Sequence, residues 1–108
     1  MSTKKVFEMN AEVLKALAHP LRMEVISVLQ KKELCFSDIL EETGGIKSNL
    51  SQHLSIMVDK GILNSRKDSR CNYFRVASPK VVKVCGLVGE ILSEHVKQQN
   101  DILKKRKS

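Results

Sequence analysis

Lys47, Ser48, Asn49, Ser51, Gln52 and His53 crowd short polar side chains into one stretch, and none of them is acidic. A serine hydroxyl donates or accepts a hydrogen bond, and Asn or Gln can pair bidentately with adenine. Lys47 suits a phosphate. A second group follows at Arg66, Lys67, Arg70 and Asn72. This is the chemistry of nucleic-acid recognition, with a solvated polar face as the competing reading. Cys35, Cys71 and Cys85 are the remaining reactive groups. Three cysteines, far apart, make no disulfide framework, so they read as free thiols in a reducing cytoplasm and as candidate sensors. No paired carboxylates suggest a cleft and no Gly-rich loop follows a strand. No catalytic residue is assigned, and the chain is not expected to be an enzyme.

The element that must carry the first group runs through GGIKSNLSQHLSIMVDKG, Gly44 to Gly61. Ile46, Leu50, Leu54 and Met57 recur at helical spacing and predict one buried stripe. At about 100° per residue the opposite face holds Ser48, Gln52 and Ser55, flanked by Asn49 and Ser51. Upstream, Ser37 is the expected N-cap of a short helix over Asp38–Thr43, with Asp38 and Glu41 favoured by the dipole of its first turn. A short helix, a Gly44-Gly45 turn and a polar-faced helix read as helix-turn-helix. Downstream, Asn64–Lys67 and Cys71–Val76 flank a turn at Asp68-Ser69-Arg70, a β-hairpin with basic residues near its tip. Such a hairpin is a wing, able to lie along the phosphate backbone or in the adjacent minor groove.

The flanks are helical. Asn10 is the expected cap of a helix to about Ala18, burying Val13, Leu14, Leu17 and Ala18, with residues 1–9 flexible before it. His19-Pro20 ends that helix, and Pro20 suits the first turn of the next, Leu21 to Gln30, which buries Leu21, Val25, Val28 and Leu29. Leu34-Cys35-Phe36 reads as a single strand-like pairing. Ser78 caps a last helix with Pro79 in its first turn. Its stripe of Val81, Val84, Cys85, Val88, Ile91, Leu92 and Val96 must be buried somewhere. Gly86 and Gly89 would let another helix approach. A two-fold partner, joined through the first and last helices, is the economical answer. Residues 99–108 end in LKKRKS, a basic tail expected to be disordered.

The expected fold is therefore mainly α with a small β-hairpin: one winged helix-turn-helix domain over residues 10–98, dimeric through its first and last helices. At 108 residues there is room for one small domain. Only four residues are aromatic, so the core is aliphatic. A net charge of +7 and a pI near 9.5 imply a polyanionic partner, nucleic acid before membrane. No run of 18 or more apolar residues occurs, and MSTKKVFEMN lacks the apolar core of a signal peptide, so a cytoplasmic protein without a membrane partner is expected.

LKALAHPLRMEVISVL, ELCFSDILEETG, NLSQHLSIMVDKGIL and SRKDSRCNYFRV, in this order and spacing, resemble the ArsR/SmtB family of winged-helix repressors. The resemblance spans roughly Glu12 to Val96. It implies a homodimer on an imperfect palindrome of double-stranded DNA near its own promoter, repressing transcription until an inducer loosens it. The family's recognition helix corresponds to Lys47–His53, and Arg66, Lys67, Arg70 and Asn72 fall on the wing. His53 matches a frequent family pattern, Ser-x-His-Leu, yet sits beside the buried stripe, which leaves packing and phosphate contact open alongside base reading.

The resemblance does not supply an inducer. Where thiol-sensing relatives carry Cys-x-Cys, this chain reads Cys35-Phe36-Ser37, one thiolate short. The zinc site of the last helix would need Asp-x-His where Val82 and Val84 stand. Glu90, Glu94 and His95 read as a solvated face. Persulfide sensing would need a cysteine near Ser27 and a second late in the last helix, whereas Cys85 is early and on the apolar stripe. Cys71 lies beside Arg70, a setting that favours thiolate. No metal ligand set and no certain cofactor is assigned. A metal, metalloid or thiol-reactive inducer stands as the expectation, with Cys35 the inherited candidate, Cys71 a candidate from its basic setting, and Cys85 a candidate whose competing reading is core or interface packing. The alternatives are a winged-helix regulator controlled by abundance or a protein partner, and a module that docks protein.

Overall fold

The computed structural model describes residues 2–107. The order is α1 (Thr3–Leu17), α2 (Pro20–Leu29), β1 (Leu34–Cys35), α3 (Phe36–Thr43), α4 (Lys47–Asp59), β2 (Leu63–Asp68), β3 (Cys71–Val76) and α5 (Pro79–Lys107). The three strands form one antiparallel sheet in the order β1-β3-β2. This is the expected winged helix-turn-helix, with β1 as the single short pairing: Leu34 opposite Phe74 and Cys35 opposite Tyr73.

The core lies between α2, α3, α4 and the base of the hairpin. Val25, Ile26 and Leu29 from α2 meet Ile39 from α3 and Leu50, Leu54 and Met57 from α4, all at most 1% exposed. Leu63 and Phe74 close it from the strands. The expected stripe of α4 is thus buried except at its start: Ile46 is the N-cap and stays 72% exposed. It precedes the helix, so its direction is set by extended backbone and not by the helical stripe. In α2, Ile26 is buried although the expected stripe omitted it.

Four boundaries differ from expectation. α1 begins at Thr3, and Ser2 Oγ accepts from the Lys5 N–H at 3.3 Å, so Asn10 lies inside the helix and residues 3–9 are helical. Of its expected stripe only Leu17 is buried, beside Ala16. Val13 and Leu14 are 49% and 56% exposed, since full burial in α1 is confined to Ala16 and Leu17 in its last turn. α3 begins at Phe36 with Cys35, not Ser37, in the cap position. Asp38 stays in the first turn and Glu41 falls in the second. The hairpin turn is two residues, Ser69-Arg70, because Asp68 and Cys71 already pair; Ser69 takes φ 58°. α5 runs to Lys107, so the expected basic tail is helix as far as that residue; Met1 and Ser108 lie outside the described residues.

Two glycines stand where left-handed backbone is needed. Gly44 ends α3 at φ 64°, donating to Leu40 O, and Gly61 follows α4 at φ 76°. The Ile62 N–H then returns to Met57 O at 2.9 Å, which turns the chain sharply from α4 into the wing. At the far end Ser78 Oγ accepts from the Lys80 N–H at 3.2 Å, the expected cap of α5.

Leu54, 1% exposed, lies in the buried stripe of α4. Leu54→Ala is expected to cost about 2–5 kcal/mol of unfolding free energy, since it leaves a cavity that α2 and α3 cannot close. Urea unfolding followed by circular dichroism measures it.

Candidate nucleic-acid interface

Burial of Leu50, Leu54 and Met57 fixes the rotation of α4 about its axis, and the other side of the helix faces out. Lys47, Ser48, Asn49, Ser51 and Gln52 are all exposed. Among the described residues, none of these five side chains hydrogen-bonds or ion-pairs with the protein. The first turn of α4 carries no acidic residue, and Ile46 makes no side-chain cap. Its free N–H groups and positive dipole end are therefore open to an anion.

His53 is held differently. It is half-buried, and its Nδ1 accepts a hydrogen bond from Arg22 Nε at 3.0 Å. Arg22 Nη1 also donates to Ala16 O at 3.3 Å. The His19 ring lies 4.2 Å from the His53 ring, tilted by 41°. His19 in turn caps α2, its Nδ1 accepting from the Leu21 N–H at 3.1 Å. One cluster thus ties the end of α1 and the start of α2 to the middle of α4. Burial holds His53 below the ordinary histidine value of 6.5, and the neighbouring His19 and Arg22 push the same way. The neutral ring is the form that can accept from Arg22.

On the wing, cross-strand pairing sets which side chains share a face. Lys67 stands opposite Asn72 and Ser65 opposite Phe74, on the side turned toward the core. There Asn72 and Ser65 line a groove with Ser51 and Ser55 of α4, over a floor of Phe36, Leu54, Val58 and Phe74, so the wing and α4 share one surface. Arg70 is exposed at the turn. Arg66 faces the other way. It is bound by Glu33, with Nη2 2.6 Å from Oε1 and Nε 3.0 Å from Oε2. Asp68 lies 3.5 Å away, and the guanidinium sits 4.7 Å from the Tyr73 ring centroid. The hydrogen bond from Arg66 lowers the Glu33 pKa and raises that of Arg66. Arg66 is therefore a brace between the wing and the segment that joins α2 to β1.

The thiols do not converge on one centre. Cys35 Sγ lies 3.1 Å from Ser37 Oγ and 3.0 Å from Asp38 Oδ2. Cys71 shares the outer sheet face with Cys35 and Tyr73 by register. Negative charge on Cys71 first, then burial and Cys35, raises the Tyr73 hydroxyl pKa. Cys85 is half-buried against the core, and burial pushes its thiol pKa up.

Residues 19–65, from the cap of α2 through α4 into the wing, match the bacterial regulatory protein family described as arsR. The nodulation protein NolR of Rhizobium meliloti is 30% identical over 87 residues, covering 81% of this chain and 71% of NolR. The chain belongs to the arsR family. The crystal structure of NolR from Sinorhizobium fredii superposes with a TM-score of 0.74 at 31% identity, covering 84% of this chain and 93% of that one. The solution structure of the homodimeric winged helix-turn-helix DNA-binding domain Mb0332 from Mycobacterium bovis gives a TM-score of 0.77 at 26% identity. It covers 91% of this chain and 93% of that one. This arsR-family chain is a DNA-binding transcriptional regulator, and α3 and α4 are its helix-turn-helix.

Sequence reasoning missed Arg22 and Glu33. Arg22 follows His19 by three residues, a spacing that puts both on one side of the first turn of α2. That signal was available, whereas the Glu33–Arg66 pairing depends on the turn of the chain after α4. The His53 cluster has a measurable consequence. Its native pKa is below the ordinary value, so the unfolded chain binds more protons between the two values. Stability should fall as the pH is lowered from above 6.5 through the native pKa. Urea midpoints compared at pH 7.5 and pH 5 should show a smaller loss for His53→Gln, which still accepts from Arg22 but does not titrate.

Proposed function

We propose that the protein is a homodimeric repressor that sets two α4 helices into successive major grooves of an imperfect palindrome. The observation that carries this reading is the outward face of α4: Ser48, Asn49, Ser51 and Gln52, exposed and without a protein partner beside an uncapped helix N-terminus. Lys47, Lys67, Arg70 and Asn72 add phosphate and groove contacts on the same surface. His53 serves by holding α4 in place, and Arg66 by holding the wing. We assign these groups to binding and none of them to catalysis.

Two copies are needed because the protomer leaves much apolar surface uncovered. Val6, Phe7, Met9, Val13 and Leu14 of α1 are 40–65% exposed. Leu87, Val88, Ile91, Leu92 and Val96 of α5 are 44–64% exposed. A Cβ at Gly86 or Gly89 would meet nothing within 4 Å in the protomer, so both glycines leave room for a helix from elsewhere. The Mb0332 domain is described as homodimeric, and the biofilm growth-associated repressor of Xylella fastidiosa, a 25% identical relative, is named for repression. No helix of the described residues is long and apolar enough to cross a membrane, and the cytoplasm, where the DNA lies, is the compartment we assign. An inducer that binds the free dimer better than the DNA-bound one would release the operator by linkage. Cys35, beside Asp38 and across from Tyr73, is the thiol best placed to report on the wing.

Fluorescence anisotropy with DNA from upstream of the protein's own gene tests this at fixed salt. Gln52→Ala and Ser48→Ala should each weaken operator binding by about 1–3 kcal/mol while leaving random DNA nearly unaffected. Lys67→Ala should weaken both and reduce the salt slope by about one. If neither α4 variant alters discrimination, the recognition face is misassigned. Light scattering should separately find a dimer that Ile91→Glu converts to monomer, with operator affinity lost alongside.

A further inference from the structure

A pocket of about 660 Å³ opens where the end of α2, the end of β3 and the start of α5 meet. Lys31, Lys32, Arg75, Lys80 and Lys83 surround it, and no acidic residue lines it. None of the five makes an ion pair among the described residues. On the adjoining surface Glu33 is hydrogen-bonded by Arg66 and also feels the charge of Arg75, which leaves the four lysines without an acidic neighbour in the lining. Val76, Pro79 and Val82 contribute apolar wall. The volume falls in the range of small-molecule sites, in which apolar walls hold the body of a ligand and a few charges orient it.

Like charges converging on one cavity repel, so the arrangement is relieved by an anion. DNA is a poor candidate for that anion. The pocket includes no residue of α3 or α4, and it lies at the base of the wing, while the turn Ser69-Arg70 is at the tip. The intervening strand, at roughly 3.3 Å per residue, separates them by about 17 Å. A phosphodiester backbone would also leave the valine and proline wall unused.

We propose that this pocket binds a small organic anion with an apolar body, a carboxylate or phosphate monoester, and that its occupant is an effector of DNA binding. The pocket joins the wing strand β3 to α5, the helix that carries the exposed stripe. An anion drawing Lys31 and Lys32 toward Lys80 and Lys83 changes the angle between wing and α5. In a dimer that angle sets the spacing of the two DNA-reading surfaces. The effector role rests on the DNA-binding reading above, whereas the binding site itself does not.

The experiment uses the full chain labelled with nitrogen-15 and titrated with sodium octanoate, octyl phosphate and, as the cationic control, octylammonium chloride. Saturable amide shifts at Lys31, Lys80 and Lys83 with at least one of the anions are expected, and none with the cation. The double variant Lys31→Gln, Lys83→Gln should bind at least tenfold more weakly, with unchanged resonances for Leu54 and Met57 showing that it is folded. Non-saturable shifts, shifts centred on Ile91 and Leu92, or equal binding by the variant overturn the site. In parallel, a saturating anion should change operator affinity at least fivefold in the unaltered protein and not in the double variant. Binding without that change overturns the effector role alone. If the variant weakens operator binding and lowers the salt slope with no anion present, the lysines contact DNA and the proposal fails. If the unaltered protein ignores operator DNA altogether, the DNA reading fails and the amide shifts still decide the site.

Discussion

Which side chains α4 turns outward depends on how the helix is rotated, and three side chains decide that rotation. Leu50, Leu54 and Met57 follow each other at spacings of four and three, so they occupy one narrow stripe. All three are at most 1% exposed, against Val25, Ile26 and Leu29 of α2 and Ile39 of α3. Once that stripe is inside, Ser48, Gln52 and Ser55 are outside, with no further choice for the backbone. An interior this closely packed resists rotation, because turning α4 by one residue would exchange a buried leucine for a polar group without a partner. The hydrophobic effect positions polar chemistry here without touching it.

Two charged contacts then set the angles that burial leaves soft. Arg22 reaches from α2 to the Nδ1 of His53 while its other arm holds the last turn of α1. Arg66 reaches from the wing to Glu33 in the segment between α2 and β1. Both contacts originate from or end near α2, which makes α2 the common reference for the recognition helix and the wing. The Glu33–Arg66 pair is exposed and therefore screened, so its value is geometric. It holds a two-stranded ribbon, a marginal structure alone, at one inclination to the body.

The residues legible in the sequence were those governed by local rules. The stripe of α4, the proline at the start of α2, the glycine ends of α3 and α4, the serine cap of α5 and the hairpin each follow from spacing or backbone preference. What escaped was set by the surroundings. Asn10 is a good cap, yet Ser2 is also one, and a longer helix satisfies more backbone groups than a shorter one. Ser37 lost the cap of α3 because pairing of Leu34 and Cys35 with β3 ends the strand one residue earlier than composition suggested. The basic end of α5 reads as a solvated tail by charge, but Ile102 and Leu103 continue the helical spacing through it. At the interface, Ser48, Asn49, Ser51 and Gln52 were legible as a face. The spacing of His19 and Arg22 was legible, but their meeting with His53, like that of Arg66 with Glu33, was not, since those contacts join residues about thirty positions apart.

The exposed face of α5 carries the remaining logic. A helix of 29 residues whose packing on the core is confined to Val81, Val82, Val84 and Cys85 has little to hold its second half in place. Helical stability in a protein comes chiefly from burying an amphipathic face, and here that face continues outward from the body. The same helix begins at the wing, two residues after Ala77, whose N–H returns to Ile62 O, and Ser78 between them caps its first turn. Whatever covers its far stripe is therefore mechanically continuous with the base of the hairpin. A regulator built this way needs no separate lever between the exposed stripe of α5 and the wing. The start of α5 is the joint, and under our proposal a group that binds there acts on both ends at once.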